Sequence, residues 1–290
     1  ARQMHGKTHE DIKTIRPLRD GVIADFHAAE QMIKGMIKMI YHRKRMISPA
    51  LKMVICIPSG STEVERRAVY DSAEHSGGRE VFLINEPMAA SLGMGVDVEA
   101  PEGSMVVDIG GGTTDLAIFR DGIIRHTAVI PFGGNVITED IKEGCSIIEK
   151  QAELLKIKFG SAWPGENKDN EIVSIPGLRG REPKEITLKN LSKIIHARVV
   201  EIIEQVYVEI KNYGHEEQKK KLIAGIVLTG GGSQLKHLKQ LVEYITGMDT
   251  RIGFPNEHLA GDTDDEVTSP LYATAVGLVM DGLKRQERKS

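Results

Sequence analysis

The chain has 290 residues, 38 of them basic and 41 acidic, and this near balance gives no global field that would favour nucleic acid or a membrane surface as partner. Its length can bury a substantial core and predicts about two domains. No apolar run reaches the roughly 18 residues that cross a bilayer, no signal peptide is evident, and Cys56 and Cys145 lack ligand-like spacing, so a reducing cytoplasm is expected.

The first residues, "ARQMHGKTHEDIKTIRPLRDG", contain no initiating Met and no clear structural element. We therefore expect the chain to be a fragment whose first segment is missing.

The next stretch alternates helices and strands. Apolar residues recur at helical spacing from Phe26 to Ile40, and "LKMVICIPSG" is typical of a buried strand. Thr62 and Glu65 form a capping-box pattern that opens a second helix. "EVFLINEP" predicts another strand, and "MAASLGMG" predicts a short, closely packed helix. The alternation predicts an α/β layer with parallel strands, and the polar link after it divides the chain into domains 1–98 and 99–290.

The second domain begins with three closely spaced strands, "MVVDIGG", "TDLAIF" and "IIRHTAVI", of which the last two are joined by an Asp-Gly hairpin turn. A helix, an irregular insertion over about 160–190 and a long amphipathic helix follow. The remaining pattern is strand, helix, strand and a closing helix over 269–284.

Three glycines and two threonines separate the first two of these strands. Consecutive glycines let backbone approach a ligand closely, and their N–H groups can form an anion-binding concavity to which Thr113 and Thr114 add hydroxyls. Asp108 would repel a bare phosphate, but it fits a site where hydrated Mg²⁺ lies between them. An ordinary glycine hairpin is the alternative. Dinucleotide and Walker loops do not fit, because the turn leads into a strand and lacks their consensus.

A second glycine turn, "VLTGGGSQLKHL", leads into a predicted helix. Its bare backbone would admit a flat ligand such as a purine, with Ser233 as a cap or a hydrogen-bonding group. Together the two turns suit a nucleotide held between two similar halves.

These motifs resemble those of the actin-like ATPase superfamily, specifically its bacterial cytoskeletal proteins. "DIGGGTTD" is similar to the second phosphate motif, "EPMAASLGMG" to the first interdomain connection, "IVLTGGGSQL" to the adenosine motif and "YATAVGLVM" to the second connection. The N-terminal third resembles the rod-shape MreB proteins, and the remainder resembles the cell-division FtsA proteins. The resemblance implies an α/β, actin-like (ribonuclease H-like) fold of two lobes around a nucleotide cleft. The closing helix would return to the first lobe, which would lack its N-terminal phosphate hairpin.

The resemblance implies ATP and Mg²⁺ as cofactors and assigns roles to particular residues. Asp108 would hold the metal through water, and the residues cradling phosphate would be Gly110, Gly111, Gly112, Thr113 and Thr114. The adenosine would meet Gly230, Gly231, Gly232 and Ser233. Glu153 and Lys156 would reach the ribose hydroxyls, with a surface ion pair as the alternative. Glu86 and Asp115 are candidates for positioning or deprotonating the attacking water, with helix capping as the alternative for Glu86.

The function implied is that of an ATP-binding cytoskeletal protein that forms or anchors filaments at the inner face of the cell membrane and organises division or shape. Division or wall-synthesis proteins would be its partners. Membrane contact would be indirect, because the basic C-terminus "GLKRQERKS" has no apolar face. Because the chain would have one phosphate hairpin where the family has two, we expect weak nucleotide binding and little ATPase activity. We also expect an unpaired sheet edge in the first lobe. The alternatives are a chaperone or sugar kinase of the same superfamily, and a catalytically silent scaffold that recruits partners through the 160–190 insertion.

Overall fold

The computed structural model describes residues 15, 17–19, 22–40, 51–177, 180, 182–214, 222–256, 259–261 and 264–287. The chain divides into two compact units, residues 1–89 with 278–290 and residues 90–277. Most of the first 21 residues, which carry part of the MreB resemblance, lie outside the described residues. None of the described helices has the length and apolar character needed to span a membrane.

The first unit is built on a β-α-β segment. Its elements are β1 (Leu18–Arg19), β2 (Val22–Ile23), α1 (Phe26–Ile40), β3 (Leu51–Ile57), α2 (Glu63–His75), β4 (Gly78–Asn85) and parts of α3 (Glu86–Gly93) and α8 (Ala273–Glu287). The strands β3 and β4 pair in parallel, as the alternation predicts. Among the described strands each of them pairs only with the other, so this sheet has two edges.

The predicted capping box begins α2. The Thr62 hydroxyl accepts from the Glu65 N–H at 3.3 Å, and the Glu65 carboxylate accepts from the Thr62 N–H at 2.7 Å. Two backbone donors that a helix start leaves unpaired are thereby satisfied.

The second unit contains a five-stranded sheet covered by helices. Its elements are β5 (Ser104–Ile109), β6 (Thr114–Arg120), β7 (Ile123–Ile130), α4 (Gly134–Cys145), α5 (Glu149–Phe159), β8 (Ile172–Ile175), β9 (Lys184–Thr187), α6 (Leu188–Tyr213), β10 (Ile226–Thr229), α7 (Leu238–Thr246) and β11 (Thr250–Ile252). The order is β11-β10-β5-β6-β7, with β5 parallel to β10 and antiparallel to β6. Asp121 and Gly122 both have positive φ, as the two-residue turn between β6 and β7 requires.

The long helix α6 supplies one side of the core of the second unit. Its buried face consists of Leu191, Ile195, Val199, Ile202, Ile203, Val206 and Ile210. The sequence analysis predicted a long amphipathic helix here, and Gly214 ends it in a left-handed conformation. The buried faces of β5 and β6 belong to the same core, so this sheet forms a rigid platform for the turns at its strand ends.

Close packing of the small residues in α3 is confirmed. A Cβ at Gly93 would overlap the Ala273 carbonyl at the start of α8. The helix predicted from Ser233 begins later than expected. A short 3₁₀ helix occupies Gly231–Gln234, and α7 starts at Leu238 after His237, which has a φ of 61°.

Candidate functional site

The two glycine turns lie side by side at the ends of neighbouring parallel strands. Asp108 at the end of β5 is paired with Thr229 at the end of β10. A Cβ at Gly230 would overlap Oδ1 of Asp108, and a Cβ at Gly232 would overlap the side chain of Ile109. The turns are therefore in direct contact. The carboxyl end of parallel strands is where open α/β sheets place their ligands.

Two carboxylates flank the first turn, one on each of the strands that it joins. Asp108 and Asp115 are directly opposite in the β5–β6 ladder and therefore share a face of the sheet. The Thr113 hydroxyl donates to Asp115 at 2.8 Å. Burial raises the pKa of Asp115 above its ordinary value, and the Thr113 hydrogen bond opposes this shift only in part. A carboxylate with a raised pKa beside a glycine turn suits proton transfer or the positioning of water.

Residues that the sequence analysis missed hold this turn from outside. The N–H groups of Gly134 and Asn135, at the start of α4, donate to the carbonyls of Gly110 and Gly111 at 2.9 and 2.7 Å. Position 133 requires glycine, because a Cβ there would lie only 2.5 Å from the Gly110 carbonyl oxygen. The only signal in the sequence was a Gly-Gly pair just before a helix.

Two hydroxyls assigned to the ligand are already used within the protein. Thr114 is buried and donates to the Phe132 carbonyl at 2.8 Å. Ser233 is also buried and donates to the Gly230 carbonyl at 2.7 Å. The geometry gives Thr114 a structural role in place of the expected phosphate contact. For Ser233 it favours the cap among the two alternatives.

The two residues expected at the ribose lie on α5, and the segment after this helix is bonded to the second turn. Glu153 and Lys156 form an ion pair at 2.8 Å. Beyond the helix, Ser161 forms a parallel bridge with Lys236, and Ala162 N–H donates to the Lys236 carbonyl at 2.8 Å. This bridge holds residues 235 and 236 extended and explains the late start of α7. Unlike all the other candidate residues, Glu86 belongs to the first unit, where it is the first residue of α3.

The described residues contain no group of three or more His, Cys, Asp or Glu side chains placed to bind a metal. Mg²⁺ is commonly held by one or two carboxylates together with phosphate oxygens and water. Asp108 beside the glycine turn fits a site of this kind, in which a single carboxylate contributes and most of the ligands come from water and a nucleotide.

A model of the MreB/Mbl protein family matches residues 1–259. The chain belongs to the MreB/Mbl family. It is 39% identical over 257 residues to cell shape-determining protein MreB of Escherichia coli K12, a match that covers 86% of this chain and 74% of that protein. It is 36% identical over 255 residues to cell shape-determining protein Mbl of Bacillus subtilis 168, covering 83% and 74%. The protein is thus an actin-family cytoskeletal protein involved in cell shape.

The solved structure of Spiroplasma citri MreB5 bound to ADP has a TM-score of 0.79 to this chain and is 28% identical, covering 100% of this chain and 85% of MreB5. The predicted actin-like fold is confirmed by this likeness. The family match runs from residue 1 to residue 259, so the FtsA resemblance predicted for the chain after its N-terminal third gains no support from it.

Proposed function

We propose that this MreB/Mbl-family protein binds ATP with Mg²⁺ at its two adjacent glycine turns and couples the bound nucleotide to assembly into filaments. The filaments would organise cell shape at the inner face of the cell membrane, with wall-synthesis or division proteins as partners and indirect membrane contact. The division into two nucleotide-binding lobes, 1–98 and 99–290, belongs to the same proposal. MreB5 was solved with ADP and with AMPPNP, which supports an adenine nucleotide as ligand.

The observation that carries the proposal is the presence of two glycines with no internal reason to be glycine. Gly111 and Gly231 are exposed and do not have positive φ. The nearest atoms to a Cβ at Gly111 would belong to the Asn135 side chain, at 3.3 Å and beyond, and this side chain would have to shift slightly. The nearest atom to a Cβ at Gly231 would be Cδ1 of Leu271 at 3.4 Å. The fold could hold alanine at either position, unlike Gly230 or Gly232. Close approach of a ligand to bare backbone accounts for both.

The roles follow from the positions of the groups. The Gly110 N–H donates to the Thr113 carbonyl within the turn, so the backbone N–H groups of Gly111 and Gly112 would bind phosphate oxygens. Mg²⁺ held through water by Asp108 would neutralise phosphate charge. Asp115, with its raised pKa, would orient or deprotonate the attacking water, a task proposed also for Glu86. The second turn would lie against the adenosine.

The proposal is tested with Gly111→Ala and Gly231→Ala, using Gly261→Ala as a matched control. Gly261 is also exposed and has no atom within 4 Å of a Cβ position. All three variants are expected to keep the wild-type unfolding temperature. The first two are expected to weaken Mg-ATP binding at least about tenfold in calorimetry, since each Cβ displaces charge-assisted contacts. Unchanged affinity in both would contradict the proposed site.

Assembly is tested separately by ultracentrifugation. We expect more pelleted protein with Mg-ATP than with no nucleotide, and we expect Gly111→Ala to remove the difference. A wild-type protein that binds Mg-ATP but pellets equally under both conditions would contradict the coupling and leave the binding site in place.

A further inference from the structure

Lys156 uses its ammonium group entirely within the protein. The Nζ atom lies 2.8 Å from the Gly134 carbonyl, 2.7 Å from the Thr138 hydroxyl and 2.8 Å from Oε2 of Glu153. An ammonium has three hydrogens, so these acceptors occupy all of its donors. Its side chain is only 13% exposed. Lys156 therefore ties α5 to the start of α4, and it could reach a sugar hydroxyl only by giving up one of these bonds.

Glu153 is more exposed than Lys156. Its side chain is 40% exposed. Thr138 donates to the same Oε2 atom at 2.5 Å, so two protein donors fix one carboxylate oxygen. Because the side chain is 40% exposed, a ligand hydroxyl can reach this fixed carboxylate.

Thr138 lies at the centre of this arrangement. It is 3% exposed on α4, one helical turn after Gly134, and its hydroxyl lies 3.1 Å from the Gly134 carbonyl. The Gly134 N–H donates in turn to the Gly110 carbonyl of the first glycine turn. The orientation of Glu153 is therefore set by groups that also hold the phosphate turn in place.

We propose that Thr138 is a positioning residue for ribose recognition, which holds the Glu153 carboxylate so that it accepts a hydrogen bond from a sugar hydroxyl of the bound nucleotide. Lys156 anchors the pair and does not touch the sugar. This inference rests on the proposed nucleotide binding.

The test compares calorimetric affinities for ADP, 2′-deoxy-ADP and 3′-deoxy-ADP. Wild type is expected to bind ADP about tenfold more tightly than at least one deoxy analogue, because the analogue lacks the hydroxyl that would donate to this charged acceptor. Thr138→Val removes the donor to Glu153 and is expected to reduce this preference to about twofold or less. Thr138→Ser keeps the hydroxyl and is expected to retain it.

Two further variants guard against a general loss of folding. Thr246→Val is the matched control, because Thr246 is also a buried helical threonine, but its hydroxyl donates to the Val242 carbonyl and not to a carboxylate. It is expected to keep the full preference. Glu153→Gln removes the charged acceptor itself, and it is expected to lose the preference even if Thr138→Val fails to fold.

The outcomes separate the inference from the function beneath it. A wild-type protein that binds ADP and both deoxy analogues equally, or a folded Thr138→Val or Glu153→Gln protein that keeps the preference, would overturn the role of Thr138. A wild-type protein that binds none of the three would contradict the proposed nucleotide site, and the inference with it.

Discussion

The β3–β4 sheet of the first unit and the five-stranded sheet of the second are built from similarly apolar sequence but are buried to different extents. In β3, "LKMVICI", only Ile57 is buried. In β5, "SMVVDI", every residue except Asp108 is buried. β5 has a strand on each side and a helical layer against its core face, whereas β3 and β4 pair only with each other among the described strands. Apolar composition thus predicts that a strand forms, while the number of neighbours decides how much energy it contributes.

The largest expected effect is in the second unit. Phe119 on β6 is fully buried. Phe119→Ala should lower the free energy of unfolding by about 3–5 kcal/mol, because the lost burial is accompanied by a cavity. Urea denaturation combined with hydrogen exchange of β5 and β6 peptides would measure this. A cost below about 1 kcal/mol would show that the second core tolerates cavities.

The same substitution in the first unit should cost less. Phe82 on β4 is half-buried, with the Arg285 guanidinium 4.7 Å from its ring centroid. Phe82→Ala should cost about 1–2 kcal/mol, from partial burial and a cation–π contact. Hydrogen exchange of β3 and β4 peptides reports on it. If Phe82→Ala and Phe119→Ala prove equal in cost, the comparison between the two sheets fails.

Helix capping should affect both units alike. Thr62 caps α2 in the first unit, and Thr187 caps α6 in the second through the Asn190 N–H at 3.1 Å. Each Thr→Ala substitution should cost about 1 kcal/mol, because the cap bond is local and depends little on core size. We expect faster exchange at the start of the affected helix, with matching Thr→Ser variants close to wild type. A much greater loss at Thr187 would show that the long buried helix couples its cap to the core.

The smallest expected effect concerns charge at the site and depends on pH. Burial raises the pKa of Asp115 in the folded protein, so the folded state binds the proton more tightly than the unfolded chain does. The resulting destabilisation is absent below the ordinary carboxyl pKa of about 3.9 and develops as the pH rises through the raised value.

Asp115→Asn carries no charge to desolvate. Its unfolding temperature should therefore exceed that of wild type at pH 7–8, and the difference should shrink as the pH falls towards 4, as thermal unfolding across this range would show. Thr113→Val is a useful control, because it removes the hydroxyl that donates to Asp115 and should have the opposite effect near neutral pH. A difference for Asp115→Asn that is constant with pH would contradict the assigned cause.

Local sequence patterns predicted much of the fold. Thr62 with Glu65, the Asp121–Gly122 turn and the apolar face of α6 act within a few residues or one helix, so their structural outcome could be read from sequence spacing. The late start of α7 could not be read in this way. The sequence pattern predicts a helix at residues 235 and 236. Their backbone is extended instead, because it pairs with the segment after α5.

Side-chain roles at the site were harder to predict than backbone position. Thr114 and Lys156 have the right chemistry for a ligand, but the structure gives their donors to Phe132, Gly134, Thr138 and Glu153. Asn135 belongs to no recognisable motif and was missed, although its N–H donates to the first glycine turn. Hydrogen-bond partners distant in sequence decide which donors stay available.

The sequence by itself determined most of the strands and helices and the two glycine turns, because periodicity and glycine content act locally along the chain. Only the tertiary structure decided that the two turns touch, since parallel pairing of β5 with β10 brings Asp108 beside Gly230 from more than 100 residues away. It also decided which glycines are required by packing and which leave backbone open. That distinction depends on the atoms that surround each Cα, and these come from segments that no local pattern connects.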